Sequence, residues 1–599
     1  MRQLLYVTVL LLVLLPLYCT NGLAATGGRS CGFDAVRRRR GNTPVAVVRE
    51  LPVKGQGPWQ AYTAATYSPW APIRIFVSTI DLEDDSRYCP AAGRYRPIYV
   101  DKRYVHCQPK DVLRDEQRNA LINHIIPGAM KLHQERLLVK PLKGTFKVPV
   151  FGEHDTCSQF SVPPEHYNPG FSGYDTVMYA AAGPQHMEGT VAWAIKCATL
   201  PNGRPVTGIL YFTPQYITNT SQMVRAAAHE MAHVLGFHGE VFIKQSDMYA
   251  RRLRGLEKVP FLKCPKLVEK AKKHYNCSSL DGVEMENDGD DFTALSHWDV
   301  RSAKDELMAA FSGIGYYTAL TMAAFECTRY YKANWGMEET MSWGKDAGCS
   351  LHTDKCIKEN VTEFPDLFCT ALSETPVCTS DRRALGICTL GVYNADLPEE
   401  YRYFTNPRVG GVYEYMTDYC PFISPIPYGD CKASISYGYL GSRIGPSSWC
   451  LKGESLMLNG TIVGDVCAEV QCDNKSVQVR YYGDDKWYPC PEGKVLKPNN
   501  TFTSGSIVCP KYREVCTIAA DGSSRIVKKI IPEARHSSDT ESSMGPTVTL
   551  ESVDYRTEGE MSDKKEVAGF FERFLAALSA FFLFLLALFS NILKPCLHL

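Results

Sequence analysis

The chain contains 23 cysteines among its 599 residues, and this number limits the folds open to it more than any other feature. So many cysteines indicate either disulfides formed in an oxidising compartment or zinc modules. Thirteen of them fall between Cys349 and Cys516, in a stretch with many Gly and Pro residues, no Cys-x-x-Cys pair and few histidines. Zinc modules depend on such pairs. This block therefore predicts a loop-rich C-terminal domain that is held together by disulfides.

The first 25 residues are typical of a secretory signal peptide. An apolar run over residues 4–17 is followed by the small residues Gly22, Ala24 and Ala25, which predicts cleavage near Ala24 or Ala25. An N-terminal membrane anchor is the alternative, but the run is short for a spanning helix. Six Asn-x-Ser/Thr sites fit the secretory route, namely Asn219, Asn276, Asn360, Asn459, Asn474 and Asn499.

A second apolar stretch, residues 574–593, carries no charge and has the length of a membrane-spanning helix. Charged residues on both sides, Glu572, Arg573 and Lys594, favour a single-pass helix. The alternative is a cleaved signal for a GPI anchor, with Ser562 as the candidate attachment residue. Either interpretation predicts a membrane-attached product that faces the outside of the cell. The preceding residues 521–573 are rich in Ser, Thr and Glu and predict a flexible stalk.

Charge and secondary-structure patterns describe the rest of the chain. Lys plus Arg and Asp plus Glu both number 65, and this balance argues against a nucleic-acid partner.

Between residues 66 and 350, β-branched runs alternate with helical patterns, which predicts an α+β unit. The predicted strands are residues 73–80 and 208–212, and the predicted helices are residues 112–133, 221–235 and 316–329.

The segment with the clearest chemistry is His229-Glu230-Met231-Ala232-His233. On a helix, His229 and His233 lie on one face and can bind the same ion. Zinc suits two imidazole ligands and keeps a position open for water, and Glu230 can take a proton from that water. Thr220 or Ser221 can cap the start of this helix, and Gly236 can end it.

A catalytic zinc needs a third protein ligand, and spacing alone does not identify it. In the short metzincin pattern HExxHxxGxxH the third histidine would be residue 239, which is Gly239 here. His238 is one position early and we interpret it as a decoy. His274, His297 and a downstream glutamate remain as candidates at this point.

Several stretches resemble the leishmanolysin family, the surface zinc metalloproteases of kinetoplastid parasites, which are metzincins with a long insertion after the helix glycine. The matching stretches are IRIFVSTIDL (73–82), DTVMYAAAG (175–183), GTVAWA (189–194), HEMAHVLGF (229–237), SHWDVRSAKDELMAA (296–310), GYYTALTMAAF (315–325) and WGKDAGCS (343–350). The resemblance covers about residues 73–516. It implies an α+β fold: a metzincin-type catalytic domain with an active-site helix and a small sheet, then a disulfide-rich, mostly β or loop C-terminal domain.

The resemblance also implies roles for individual residues. His297 matches the third zinc ligand, and Met308, in Glu306-Leu307-Met308, matches the methionine turn that forms a hydrophobic floor below the ligands. Residues 175–179 match the edge strand along the cleft, to which an extended substrate can add. Together these implications predict a zinc endopeptidase of proteins, with Glu230 as general base and a further role in adhesion to host-surface proteins. The alternative is a surface adhesin that keeps the fold without significant catalysis. Tyr316 and Tyr317 follow the methionine turn and are predicted to serve packing.

Cys31 resembles the pro-segment cysteine of the family, whose thiolate can occupy the open zinc position. With Cys19 of the signal peptide and Cys596 of the C-terminal tail set aside, 21 cysteines remain. If the 20 from Cys89 to Cys516 pair with one another, Cys31 is left as a thiol; the alternative is that Cys31 pairs with another cysteine. Cys264 and Cys327 match no position that the family pattern provides, and we predict that they pair with each other. The run Arg37 to Arg40 is either a processing site or a solvated patch, and the mature chain is expected to start between Gln60 and Trp70.

These inferences divide the chain into consecutive parts. We expect a signal peptide (1–25), a pro-segment (26–65), an N-terminal catalytic subdomain (66–240), a central subdomain with the third ligand and the methionine turn (241–350), a Cys-rich C-terminal domain (351–520), a stalk (521–573) and a membrane helix or GPI signal (574–593).

Overall fold

The computed structural model of the protein describes residues 30–40, 43–51, 70–100, 103–185, 189–287, 295–310, 313–433, 439–473 and 476–527. These residues belong to one compact unit, Met1–Lys529. The predicted signal peptide, residues 574–593 and most of the predicted stalk lie outside the described residues. Within the described ranges, no helix is both long enough and apolar enough to cross a bilayer.

The helices are mostly short. In chain order they are α1 Phe33–Arg40, α2 Ile80–Glu83, α3 Asp115–Ala120, α4 Ile126–Arg136, α5 Pro164–Tyr167, α6 Ser221–Leu235, α7 Gly239–Lys244, α8 Pro265–Tyr275, α9 Val300–Ala303, α10 Ala319–Cys327, α11 Ser350–Thr353 and α12 Tyr512–Val515. Single 3₁₀ turns occur at Pro109–Asp111, Thr156–Gln159, Pro214–Tyr216, Glu399–Tyr401 and Tyr413–Tyr415.

The strands form several small sheets. They are β1 Ser30–Cys31, β2 Ala46–Val47, β3 Ala71–Pro72, β4 Ile75–Ser78, β5 Tyr95–Pro97, β6 Tyr104–His106, β7 Leu137–Val139, β8 Thr145–Phe146, β9 Phe171–Ser172, β10 Thr176–Ala182, β11 Thr190–Thr199, β12 Pro205–Phe212, β13 Met248–Leu253, β14 Leu256–Leu262, β15 Val283–Glu284, β16 Lys332–Ala333, β17 Val377–Cys378, β18 Ala384–Cys388, β19 Leu390–Val392, β20 Val409–Gly411, β21 Ile423–Asp430, β22 Ser448–Leu451, β23 Gly453–Leu458, β24 Thr461–Ile462, β25 Val466–Asp473, β26 Ser476–Arg480, β27 Tyr488–Pro489, β28 Val495–Leu496 and β29 Phe502–Val508.

The largest sheet has the order β1-β11-β12-β10-β4, with β2 also paired to β11. Strand β10 is parallel to both β4 and β12, whereas β11 is antiparallel to β12. The prediction that residues 175–179 form the edge strand is therefore wrong. Every residue of β10 is buried, as is usual for a central parallel strand that is covered on both faces. Strand β11, which contains most of the GTVAWA segment, pairs on its other side with β1 and β2.

Helix α6 packs against this sheet and carries the His-Glu-x-x-His segment. Its bounds agree with the predicted residues 221–235. The Thr220 hydroxyl accepts a hydrogen bond from the Met223 amide, and Gly236 ends the helix with a φ of 108°, the left-handed conformation that glycine adopts without strain. A Cβ on Gly208 of β12 would lie 2.2 Å from Val234 Cγ1, so a glycine is needed where the helix approaches the sheet.

The predicted helix 112–133 is present about three residues further along, as α3 and α4 joined by a π turn, Leu121–Ile125. Pro127 lies just after this turn and has no amide hydrogen to donate. The Ile126 amide donates to the Leu121 carbonyl five residues back. The proline thus accounts for the local change from α to π hydrogen bonding.

Within the described residues, ten disulfides bind the chain together, and they support the predicted class of an α+β domain followed by a disulfide-rich β region. They are Cys89–Cys107, Cys157–Cys197, Cys264–Cys327, Cys277–Cys349, Cys356–Cys420, Cys369–Cys388, Cys378–Cys450, Cys431–Cys467, Cys472–Cys516 and Cys490–Cys509. The predicted bond between Cys264 and Cys327 is confirmed, and it joins the start of α8 to the end of α10. The predicted pairing of all 20 cysteines from Cys89 to Cys516 is also confirmed.

Candidate metal centre

Three histidine nitrogens converge beside helix α6. His229 and His233 lie one helical turn apart, on the same face of the helix. Their Nε2 atoms are 3.1 Å apart, and His297 Nε2 lies 3.2 Å from His233 Nε2 and 3.3 Å from His229 Nε2. Ligands held tetrahedrally at about 2.0–2.1 Å from a zinc ion are about 3.3 Å apart. The triangle of nitrogens therefore has the size of one face of a zinc tetrahedron.

The hydrogen bonds of the two helix histidines fix which ring nitrogen carries the proton. His229 Nδ1 lies 2.6 Å from the Leu307 carbonyl and His233 Nδ1 lies 2.9 Å from the Phe237 carbonyl, so both Nδ1 atoms must be donors. Burial lowers the pKa of His229 to about 4 and that of His233 well below its usual value, so both rings are neutral near pH 7. Their Nε2 lone pairs then face each other. Two lone pairs cannot form a hydrogen bond with each other, but both can bind the same cation.

The route of the chain around the insertion explains why His297 reaches the site. The chain leaves helix α6 and returns beside Gly239, where an added Cβ would lie 2.7 Å from Leu295 Cβ. The His297 carbonyl accepts a hydrogen bond from the Glu286 amide, and the next residue, Trp298, donates to the Met308 carbonyl. His297 thus takes the ligand position that the short metzincin pattern assigns to a histidine at residue 239.

The other histidine candidates lie elsewhere. His238 Nε2 is 2.6 Å from Lys196 Nζ, and His274 Nε2 contacts the Trp343 carbonyl. Neither belongs to the group of ligand atoms around His229, His233 and His297. The structure brings together the three histidines named as ligands, with Glu230 buried next to them on α6.

The methionine turn is held by one buried carboxylate. Glu306 accepts hydrogen bonds from the Met308 amide, from the amide and hydroxyl of Thr318 and from the Thr321 hydroxyl. Burial raises the pKa of Glu306 to about 7. Because the carbonyl of the neighbouring Leu307 orients His229, Glu306 fixes the backbone that holds a candidate ligand. No local sequence pattern indicates this role of Glu306.

Buried polar contacts with distant segments also hold helix α6 in place, and none of them was predicted from the sequence. Arg225 forms a bidentate ion pair with Glu339, which also lies near Arg136. His133 of α4 contacts the Ala228 carbonyl and the Tyr317 hydroxyl. These partners are distant in sequence, so no local pattern marks them. Tyr316 and Tyr317 are buried, as expected for packing residues.

Cys31 lies beside the three histidines, close enough to supply a fourth ligand atom. Its Sγ and the ligand nitrogens of His229, His233 and His297 all lie within 4.8 Å of one another, and the sulfur is present as a thiol. Cys31 Sγ is 3.4 Å from Glu230 Oε2, and it accepts a hydrogen bond from the Phe33 amide at the start of α1. A helix N-terminus favours the thiolate form. One cysteine and three histidines are a donor set that zinc accepts.

The residues around Cys31 fit closely over the site. The Phe33 ring stacks on the His233 ring at a centroid distance of 4.0 Å and an interplanar angle of 8°. A Cβ on Gly32 would lie 2.6 Å from Thr190 Cγ2, so glycine permits this approach to β11. Strand β1 pairs with β11 in parallel, with Cys31 opposite Ala192.

The arginine run that follows forms the end of helix α1. Arg37 pairs with Glu240, and Arg40 pairs with Asp155 at 2.9 Å with both side chains buried. Arg40 also donates to the Lys196 carbonyl. Arg37 and Arg40 thus belong to a helix and pair with carboxylates, whereas Arg38 and Arg39 are exposed. That the run is a processing site stays a prediction.

A cavity of about 690 Å³, which includes open solvent, borders the histidine site. Its lining includes Glu230, His229, Val191 and Met223, and the methionine-turn residues Leu307 and Ala309. Cys31 also lines this cavity.

Comparisons with known proteins agree with this geometry. A profile of the family described as Leishmanolysin matches residues 29–522. The chain is 36% identical over 466 residues to the leishmanolysin homolog of Crithidia fasciculata, which covers 75% of this chain and 71% of that protein. It is 36% identical to the leishmanolysin of Leishmania major, over 75% of this chain and 76% of that protein. A leishmanolysin-like peptidase of Caenorhabditis elegans is 24% identical over 61% of this chain and 72% of its own length.

Proposed function

Because the chain belongs to the leishmanolysin family of metalloproteases, we propose that it is a zinc endopeptidase that hydrolyses internal peptide bonds of proteins. The observation that carries this proposal is the triangle of three Nε2 atoms, 3.1–3.3 Å apart, beside a buried glutamate. His229, His233 and His297 would hold the ion. Bound Zn²⁺ would polarise the scissile carbonyl and lower the pKa of a water towards 7.

The residues of the chain do the remaining work. Glu230 accepts the proton of the attacking water and later delivers it to the leaving amine. The carbonyls of Leu307 and Phe237 keep the two helix histidines in the tautomer that binds a metal. The edge of β11, to which β1 and β2 pair, can accept an extended substrate as an added strand. Such binding does not use the ends of the peptide, which supports endopeptidase activity.

Metal removal tests this function on the full chain. Iodoacetamide is included to alkylate Cys31, and the substrate is a long unstructured protein such as casein. We expect internal cleavage, identified by mass spectrometry of the fragments, that a chelator abolishes and that added Zn²⁺ restores. Cleavage that continues without metal, or trimming from the ends alone, would contradict the proposal.

We also propose that residues 26–65 act as an inhibitory pro-segment. Cys31 would supply the fourth ligand, and its thiolate would exclude water from the position that Glu230 serves. The parallel pairing of β1 with β11 and the stacking of Phe33 on His233 support this role, because both hold the sulfur beside the histidines.

Substitution of Cys31 is expected to release this inhibition. In the full chain with Zn²⁺ and no alkylating agent, Cys31→Ser should raise the initial cleavage rate by at least about tenfold, because a hydroxyl is a much weaker zinc ligand than a thiolate. The measurement is the rate on a quenched peptide before the pro-segment is processed. Cys31→Ala is the second variant, and unchanged latency in both would contradict the role of the sulfur.

The location of the protein is proposed from the resemblance and from the sequence. We propose that residues 1–25 direct secretion and that residues 574–593 attach the product to the cell surface, with a single-pass helix favoured over a GPI signal. The domain boundaries given above remain part of this proposal. An additional role in adhesion rests on the resemblance. Mass analysis of the mature C-terminus distinguishes the two anchors, because a GPI signal is removed and a spanning helix is retained.

A further inference from the structure

We propose that Asp155 and the Lys196 carbonyl form a substrate subsite for arginine, which Arg40 of the pro-segment fills in the uncleaved chain. This inference rests on the proposed peptidase function and on removal of the pro-segment. It concerns the substrate residues three or four positions before the scissile bond, which lie away from the metal centre and from the cavity beside Glu230.

The pro-segment contact has the geometry of a guanidinium site. Arg40 Nη2 lies 2.9 Å from Asp155 Oδ2, and Arg40 Nη1 lies 2.6 Å from the Lys196 carbonyl oxygen. Side-chain exposure is 6% for Arg40 and 7% for Asp155. A planar group with paired N–H donors satisfies both acceptors at once, whereas an ammonium group supplies a single charged point.

The two acceptors are fixed by the part of the chain outside the pro-segment. Asp155 caps the turn Thr156–Gln159, because its Oδ1 accepts a hydrogen bond from the Cys157 amide. The disulfide between Cys157 and Cys197 attaches this turn to β11, next to Lys196. The site is therefore expected to keep its shape when Arg40 leaves.

Departure of the pro-segment would leave the Asp155 carboxylate without the cation that it contacts here. A carboxylate in a partly desolvated position attracts a replacement cation. Glu240 differs, because Lys196 Nζ lies 3.6 Å from its carboxylate and would still balance its charge after Arg37 leaves. Asp155 is thus the acidic group of this surface that we expect to select a substrate.

The position of the subsite follows from the path of the pro-segment. Cys31, next to the histidines, is opposite Ala192, and β2 is opposite Ala198 and Thr199. Lys196 lies four residues beyond Ala192, or about 13 Å along an extended strand. A substrate that is antiparallel to β11 would place its third or fourth residue before the scissile bond at this point.

Quenched peptides test the subsite on the processed, zinc-loaded protein, after N-terminal sequencing confirms the loss of α1. The peptides share one cleaved core and carry Arg, Lys or Gln at each of the four positions before the scissile bond. We expect Arg at the third or fourth position to raise kcat/KM by about tenfold over Gln, with Lys intermediate. Equal rates for Arg and Gln at all positions would overturn the inference.

Two matched variants identify the residue responsible. Asp155→Asn keeps an oxygen to cap the Thr156–Gln159 turn but removes the charge, so it should bring kcat/KM for the Arg peptide down to that for the Gln peptide. Glu240→Gln should keep the preference. An arginine preference that survives Asp155→Asn would refute the assignment, while the absence of chelator-sensitive cleavage of every peptide would instead refute the peptidase function.

Discussion

Replacing Glu230 with glutamine is expected to lower kcat/KM by about 10³-fold or more while zinc stays bound. General base catalysis contributes typically about 10²–10⁴-fold, and Glu230 would act twice, on the attacking water and on the leaving amine. Its Oε2 lies 3.4 Å from Cys31 Sγ, the atom that could supply a fourth ligand beside the three histidine nitrogens. The amide of glutamine has nearly the same shape as the carboxylate but is not a useful base at neutral pH.

The measurement combines kinetics with metal content, because the proposed role is chemical and not structural. Zinc bound per chain should be equal in the wild type and in Glu230→Gln, and the thermal midpoint should change little. Glu240→Gln is the matched control, since Glu240 is half exposed and pairs with Arg37, and it should keep the activity of the wild type on a peptide without arginine. A Glu230→Gln protein that retains more than a tenth of the activity would contradict the mechanism.

The sequence predicted the active-site helix because all of its determinants are local. The Thr220 cap, the alanines before His229 and Gly236 all belong to the helix that carries the two histidines or to its ends. The spacing of His229 and His233 then follows from helical geometry. The thiol at Cys31 could also be predicted by counting: with Cys19 of the predicted signal peptide and Cys596 near the C-terminus set aside, pairing of the other 20 cysteines leaves Cys31.

Features that depend on contacts between distant segments could not be predicted in this way. The third ligand depends on how the insertion returns to Gly239, and only the resemblance pointed to His297. The order of strands depends on pairing, so residues 175–179 were wrongly taken as the edge. Their uniform burial in β10 is visible only when both faces of the sheet are known. The contacts of Arg40 with Asp155 likewise join segments 115 residues apart.

Substitution of His297 is expected to have the second large effect, on zinc binding, because a catalytic zinc site needs three protein ligands. Replacing His297 with alanine is expected to weaken zinc binding by more than about 100-fold, the upper end of what loss of a hydrogen-bonding partner of a ligand costs. Proteolysis should fall below detection at the zinc concentration that saturates the wild type. Cys31 is replaced with serine in all these chains, so that the thiol does not act as a substitute ligand.

A histidine of the same insertion serves as the control for His297. His274 was an equal candidate from spacing alone, and it contacts the Trp343 carbonyl far along the chain from the methionine turn. Competition with a chelator of known affinity measures zinc binding without any need for activity, and circular dichroism confirms that each variant is folded. His274→Ala should bind zinc as the wild type does. If the folded His297→Ala protein bound zinc equally well, or if His274→Ala lost it, the third ligand would have been assigned to the wrong residue, and the triangle of nitrogens beside α6 would need another explanation.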